Sequence, residues 1–148
     1  MSLKEKINLD LKDAMKAGDK VRLSTVRSIR ALILDFEKSG ANRELTPDEE
    51  MSLVSSAAKK RKDSIEQYRN ANRIDLAEIE EKELEILSKY LPKQLTEEEL
   101  EDAIRKLATE IGATSKADFP KLMPLSAKTF KGKADGRKVK EIVDRILS

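Results

Sequence analysis

The segment KGKADG at residues 131–136 has a spacing that predicts a phosphate-binding turn. Asp135 is placed to cap the final helix, and the glycines at 132 and 136 permit close approach of another backbone or a ligand. The amides and positive dipole end of a helix N-terminus attract anions. The cationic side chains nearest this turn are Lys131, Lys133, Arg137, Lys138 and Lys140. A well-capped turn without a ligand is the alternative, and the Lys-Ser/Thr pair that ends a Walker loop is missing.

A second basic cluster lies in the middle of the chain and comprises Lys59, Lys60, Arg61, Lys62, Arg69 and Arg73. In a helix these side chains point in several directions, so a solvated face with acidic neighbours is the simpler interpretation. A nuclear-localisation signal is the other, but it would have to be exposed and extended. Arg61 falls on the apolar stripe of its helix. We therefore expect it to form a partly buried ion pair with Asp35 or with an acid of the fourth helix.

The composition offers few side chains for catalysis, because the 148 residues include no cysteine and no histidine. Thiol catalysis, disulfides and nearly every zinc site are excluded, and the usual general base at neutral pH is missing. Ser24-Thr25 and Ser55-Ser56 have no activating partner nearby, although composition leaves a Ser-Lys arrangement open. We predict no catalytic residue, no metal and no cofactor.

Charge is distributed unevenly along the chain. Residues 1–92 contain 18 basic and 18 acidic side chains, whereas residues 116–148 contain 9 basic and 4 acidic ones. The last 33 residues are therefore where an anionic partner is attracted. No apolar run approaches the roughly 18 residues that span a bilayer, and the N-terminus resembles neither a secretory signal nor a transit peptide. We expect a cytoplasmic protein without a membrane partner.

Apolar periodicity predicts an all-α protein with a bundle of about four long helices at 1–92 and a small three-helix domain at 93–148. Ser2 with Glu5, Thr46 with Glu49 and Thr96 with Glu99 are capping boxes, and Asn72 is placed to cap the fourth helix. The predicted apolar stripes include Met15 on the first helix, Ile79 on the fourth and Ile111 on the fifth.

Three further segments carry specific predictions. The sequence IRALILDF at 29–36 is apolar on more than one face, so its helix should lie centrally in the bundle. The segment LPKQL at 91–95 is interpreted as a tight hinge whose leucines pack. Pro120 and Pro124 cannot both lie inside a regular helix, so we expect a kink or break near Pro124.

Three blocks together resemble the YqeY family, also called GatB/YqeY domain proteins: residues 59–100, GATSKADF at 112–119 and KGKADGRKV at 131–139. The resemblance covers essentially the whole chain. It implies a long-helix bundle joined to a three-helix tail that is similar to the C-terminal domain of the B subunit of tRNA-dependent amidotransferases. That domain helps to hold tRNA, so the resemblance implies a tRNA-handling module without the catalytic cradle.

The leading hypothesis is an accessory protein whose partner is tRNA or another structured RNA, with a translation-related protein as a further partner. The residues assigned to RNA contact are Lys121, Lys128, Lys131, Gly132, Lys133, Asp135, Gly136, Arg137, Lys138 and Lys140. Few aromatic residues are available for base stacking, which favours recognition of shape and backbone. The alternatives are a protein-interaction or structural helical module and, by family label only, glutamine-dependent amide transfer (a carbon-nitrogen ligase).

Overall fold

The computed structural model describes residues 1–148 and contains seven α-helices, one 3-10 turn and no strand, so the all-α prediction is confirmed. The chain separates into two compact units, Met1–Leu91 and Pro92–Ser148. The first unit contains α1 (Leu3–Ala17), α2 (Lys20–Lys38), α3 (Pro47–Asn70) and α4 (Ile74–Ser88). The second contains α5 (Glu97–Ile111), the 3-10 turn Lys116–Asp118, α6 (Phe119–Thr129) and α7 (Gly136–Leu147). No helix is both long enough and apolar enough to cross a membrane.

Local capping sets the first residues of α1, α3 and α5, as the sequence predicts. The side chains of Ser2 and Thr46 each accept a hydrogen bond from the amide three residues on, and Glu5 and Glu49 return a bond to the cap amide. Thr96 accepts from the amide of Glu99 at 3.1 Å, but no return bond from the Glu99 side chain is present. An N-cap of this kind stabilises a helix by about 1 kcal/mol.

Helix α2 lies centrally in the first unit, which confirms the prediction from its apolar centre. It packs against α1, α3 and α4, whereas α1 packs mainly against α2. Val26, Ile29 and Ile33 of α2 are buried in the core. Each such aliphatic side chain contributes roughly 1.5–3 kcal/mol when it leaves water, so burial of this face of α2 stabilises the unit.

Three apolar positions that the periodicity directs inward are exposed: Met15, Ile79 and Ile111. On α1 and α4 the fully buried positions nearby are instead Ala14 and Ala77. Alanine side chains therefore occupy core positions at these points. The predicted stripes were therefore wrong by one or two positions at these points.

The turn between α3 and α4 corrects the prediction that Asn72 caps the fourth helix. Asn72 has φ +58° and its amide donates to the Arg69 carbonyl at 3.0 Å, so it belongs to the turn that ends α3. An N-cap residue needs extended backbone, which this left-handed conformation excludes. Helix α4 begins one residue later, after Arg73, without a side-chain cap.

The hinge leucines pack as predicted, each in its own unit. Leu91 packs against the core of the first unit. Leu95 packs against the core of the second unit, which is built around Leu100, Ile104 and Ile142.

Helix α6 continues through Pro124, so the predicted break does not occur. Pro124 removes a single helix hydrogen bond, the one to the carbonyl of Pro120. Both prolines are exposed, so this carbonyl lies on the outer face of the helix, where water can satisfy it. Leu122 and Ser126, on the opposite face, are fully buried and attach α6 to the second unit.

Candidate nucleic-acid interface

The KGKADG turn is anchored to the core of the second unit by the preceding residue, Phe130, which is 6% exposed. The amides of Lys133 and Ala134 both donate to the Phe130 carbonyl, at 2.9 and 3.2 Å. Gly132 has φ +78°, a left-handed conformation that a residue with a side chain rarely adopts. The glycine is thus needed by the turn itself.

The same turn is fastened from outside by the segment before α5. The side-chain amide of Gln94 donates to the Gly132 carbonyl at 2.6 Å, and the backbone amide of Leu95 donates to the Lys133 carbonyl at 2.9 Å. This contact could not be predicted from the sequence, because its partners lie 38 residues apart and no local pattern connects them. These bonds fix the backbone that carries Lys131 and Lys133.

The N-terminus of α7 is capped by Asp135, as predicted. Its Oδ1 accepts from the amide of Arg137 at 2.9 Å and lies 3.9 Å from Arg137 Nε. A carboxylate therefore already compensates the positive end of this helix. The space around Gly136 is open. A phosphate approaching here would meet the Asp135 charge, so the lysine side chains are the main attraction for an anion.

Of the cations predicted to contact RNA, five are exposed and form no ion pair: Lys121, Lys128, Lys131, Lys133 and Lys140. Lys121 and Lys128 are seven residues apart, which places them on the same side of α6 and about 10 Å apart along its axis. Asp118 lies near Lys121. Bonds from the backbone amides of Thr114 and Ser115, at 2.8 and 3.2 Å, lower the pKa of Asp118 and keep it ionised.

Two further cations of α7 face acids instead. Lys138 Nζ lies 3.3 Å from Glu141 Oε2 and 3.7 Å from Glu97 Oε2. Arg145 Nη1 lies 3.6 Å from Glu97 Oε1, and its Nη2 lies 3.4 Å from Glu101 Oε1. The predicted phosphate contact Lys138 thus belongs to a charged seam between α5 and α7. The acid-rich first turn of α5 was the sequence signal for this seam, but the pairing itself depends on tertiary packing.

The second basic cluster is divided by the structure into paired and unpaired groups. Arg61 Nε donates to Glu83 Oε2 at 2.7 Å and lies 3.4 Å from Glu80 Oε2, which confirms the predicted ion pair with the fourth helix rather than with Asp35. Arg69 pairs with Glu81, and Arg73 lies 3.3 Å from Asp75. The exposed cations without an ion pair are Lys59, Lys60 and Lys62.

Burial and the proximity of Glu83 raise the pKa of Glu80, while Arg61 acts in the opposite direction. One Glu80 oxygen is buried without a hydrogen bond. The Arg61 pair therefore joins α3 to α4 in a partly desolvated setting. Removing one partner of an ion pair costs more stability there than at an open surface.

The fold and this distribution of charge describe a two-unit helical protein with a basic tail. The family model described as Yqey-like protein matches residues 4–147, and the chain belongs to the YqeY family. The predicted resemblance is thereby confirmed.

Several fungal proteins named altered inheritance of mitochondria protein 41, mitochondrial, are similar to this chain. The protein of Pyrenophora tritici-repentis is 32% identical over 145 residues, covering 93% of this chain and 79% of the relative. That of Lachancea thermotolerans is 36% identical, covering 69% of this chain and 56% of the relative. That of Clavispora lusitaniae is 33% identical, covering 76% of this chain and 66% of the relative.

These names contradict the expectation of a cytoplasmic location, because the relatives are named as mitochondrial proteins. The expectation was based only on the lack of a recognisable targeting pattern. Such a lack does not determine the compartment in which a protein works.

Proposed function

We propose that this chain binds structured RNA of the tRNA class through its second unit and acts as an accessory to translation. The observation that carries the proposal is the set of five unpaired lysines on α6, α7 and the KGKADG turn: Lys121, Lys128, Lys131, Lys133 and Lys140. Phosphate contacts from lysines supply sequence-independent affinity. The likeness of the tail to the tRNA-holding domain of amidotransferase B subunits favours tRNA over other polyanions.

The turn contributes rigidity to this surface. Lys131 and Lys133 flank Gly132, whose carbonyl is held by Gln94, so their backbone is fixed before any ligand arrives. A preformed surface loses less conformational freedom on binding than a mobile loop does. With few aromatic side chains, the tail is suited to reading backbone shape, and we expect little preference among tRNA sequences.

Fluorescence anisotropy with bulk tRNA and the full chain tests the proposal across a salt series. If all five lysines contact phosphates, the logarithm of the affinity should fall by about 3.5–4.5 for each tenfold rise in salt. A slope below about 1, or no binding at low salt, would contradict the proposal.

Charge reversal locates the surface. We expect Lys131→Glu with Lys133→Glu to weaken tRNA binding by at least about tenfold, because two attractive charges become repulsive. The matched control is Lys6→Glu with Lys12→Glu on α1, where both lysines are exposed and unpaired. An equal loss in both double variants would show that only net charge matters and would exclude a tail interface.

A further inference from the structure

A groove in the first unit lies between α2 and α3 and is separate from the basic tail. It encloses about 290 Å³. Its apolar lining includes Leu32, Leu53 and Ala57, and its polar lining includes Ser56, Lys60 and Arg61. Leu32 is 36% exposed, which is unusual for a leucine within a helix this central. The groove therefore offers apolar contact beside two cations.

Arg61 is held in a fixed orientation at this groove. Its Nε is bonded to Glu83 on the side of α4, while its two terminal nitrogens donate no hydrogen bond within the protein. Neither of these nitrogens is buried, so solvent reaches both. A guanidinium with one edge engaged and the other available matches the two oxygens of a carboxylate.

Lys60 and Ser56 line the groove together with Arg61. The Lys60 ammonium is exposed and unpaired, and the Ser56 hydroxyl is exposed and makes no hydrogen bond within the protein. An anion placed at Arg61 would therefore meet a second cation and a hydroxyl donor. Glu83 and Glu80 carry two negative charges beside the single positive charge of Arg61, so Lys60 supplies the remaining attraction for an anion and the site does not suit a dianion.

We infer that this groove binds a medium-chain aliphatic monocarboxylate, with its carboxylate on Arg61 and Lys60 and its chain along Leu32, Leu53 and Ala57. The volume lies at the lower limit of small-molecule sites and suits a ligand of about ten non-hydrogen atoms. The groove is partly open to solvent, so we expect a dissociation constant on the order of 1 mM for such a ligand.

Sodium octanoate is a suitable probe, with ¹⁵N chemical-shift titration of the full chain as the measurement. We expect saturable shifts at the amides of Leu32, Leu53 and Ala57. Octylamine has the same chain and the opposite charge, so it should bind at least about fivefold more weakly. Octyl phosphate tests the choice of anion, and tighter binding of it than of octanoate would overturn the assignment to a carboxylate.

Paired variants at exposed positions separate the groove from general surface effects. Lys60→Glu should weaken octanoate binding by about fivefold or more, whereas Lys59→Glu, which makes the same charge change outside the groove, should not. Ser56→Phe should fill the groove and abolish the shifts, whereas Ser52→Phe, one turn earlier, should retain them. Equal binding of octylamine, unchanged binding in Lys60→Glu, or no saturation at about ten times the expected constant would each overturn the inference.

Discussion

The hydroxyl of Tyr90 donates a hydrogen bond to Asp10 Oδ2, joining two residues 80 positions apart. The other Asp10 oxygen lies 3.4 Å from Arg22 Nη2, so this carboxylate connects α1, α2 and the segment after α4. Burial, together with the bond to Asp10, raises the pKa of the Tyr90 hydroxyl well above its usual range. The end of the first unit is thus attached to its first helix by a polar contact at the edge of the apolar core.

Tyr90→Phe should destabilise the first unit by about 1 kcal/mol, because it removes this bond and leaves Asp10 with Arg22 alone. Urea unfolding at neutral pH measures the change. Above about pH 10 the difference should shrink, since an unfolded tyrosine ionises at its ordinary pKa while the folded one stays protonated. The control is Tyr68→Phe, because the Tyr68 hydroxyl makes no hydrogen bond within the protein. An equal loss in both variants would contradict the assigned role of the contact.

Features that depend on a few consecutive residues could be predicted from the sequence, and features that depend on packing could not. The caps at Ser2 and Thr46 are local, so their pattern was sufficient. Met15 was predicted to face the core, but Ala14 is buried there instead, because tertiary packing decides between adjacent positions of a helix. Pro124 was predicted to interrupt α6, but its exposed position removes most of the cost.

The candidate interface also combines features that could be predicted from consecutive residues with features that depend on packing. The distribution of charge along the sequence was sufficient to place the basic side chains in the tail. The residue types of KGKADG were sufficient to predict the Asp135 cap. Which cations are free depends on contacts between distant helices. Lys138 and Lys140 are alike in sequence, but only Lys138 meets an acid of α5, Glu97.

The pair formed by Arg61 and Glu83 should show strong coupling in a double-mutant cycle. Arg61→Leu leaves Glu83 and Glu80 facing each other in a partly buried setting, and we expect a loss of about 2 kcal/mol. Glu83→Leu in the same background should restore part of this loss, because it removes the unpaired charge. Urea unfolding of the four proteins gives the coupling energy, and a value near zero would mean that the pair has no net role.

Glu49 should make the first unit sensitive to acid. Hydrogen bonds from Arg43, at 2.6 and 3.0 Å, and from the amide of Thr46 lower the pKa of Glu49 to about 2. The stabilisation is fully present above the ordinary pKa of about 4.5 and is lost as pH falls toward the folded value.

Glu49→Gln should therefore lower the Tm at neutral pH, and its difference from wild type should shrink as the pH is lowered to about 2. Thermal unfolding followed by circular dichroism across this range measures the effect. Asp48→Asn is the control, because Asp48 lies in the same helix turn but forms no ion pair. A difference that stays constant with pH would show that Glu49 acts only through its neutral hydrogen bonds.

Ser126 should be replaceable by alanine with a gain in stability. Its side chain is fully buried in α6 and its Oγ has no hydrogen-bond partner, so the hydroxyl pays desolvation without compensation. We expect Ser126→Ala to stabilise the second unit by about 1 kcal/mol. Ser88→Ala corrects for the shared rise in helix propensity, because the Ser88 hydroxyl does have a partner, the Leu84 carbonyl at 2.8 Å. A loss of stability in Ser126→Ala exceeding that in Ser88→Ala would contradict the prediction.

Glu97 should restrain RNA binding by the tail, if the proposed function holds. Its carboxylate lies between Lys138 and Arg145, at 3.7 and 3.6 Å, and competes with phosphate for both cations. Glu97→Gln should strengthen tRNA binding by about twofold to fivefold, a modest change because exposed ion pairs are weak. If Lys138 then engages a phosphate, the salt slope should steepen by about 0.7–0.9.

The matched control is Glu98→Gln, which makes the same charge change at an exposed neighbour that forms no ion pair. Salt-dependent anisotropy of wild type and both variants separates the two effects, since a general charge effect strengthens binding equally in both. If wild type binds tRNA and Glu97→Gln matches Glu98→Gln in affinity and slope, then the seam between α5 and α7 holds the helices together without limiting the interface.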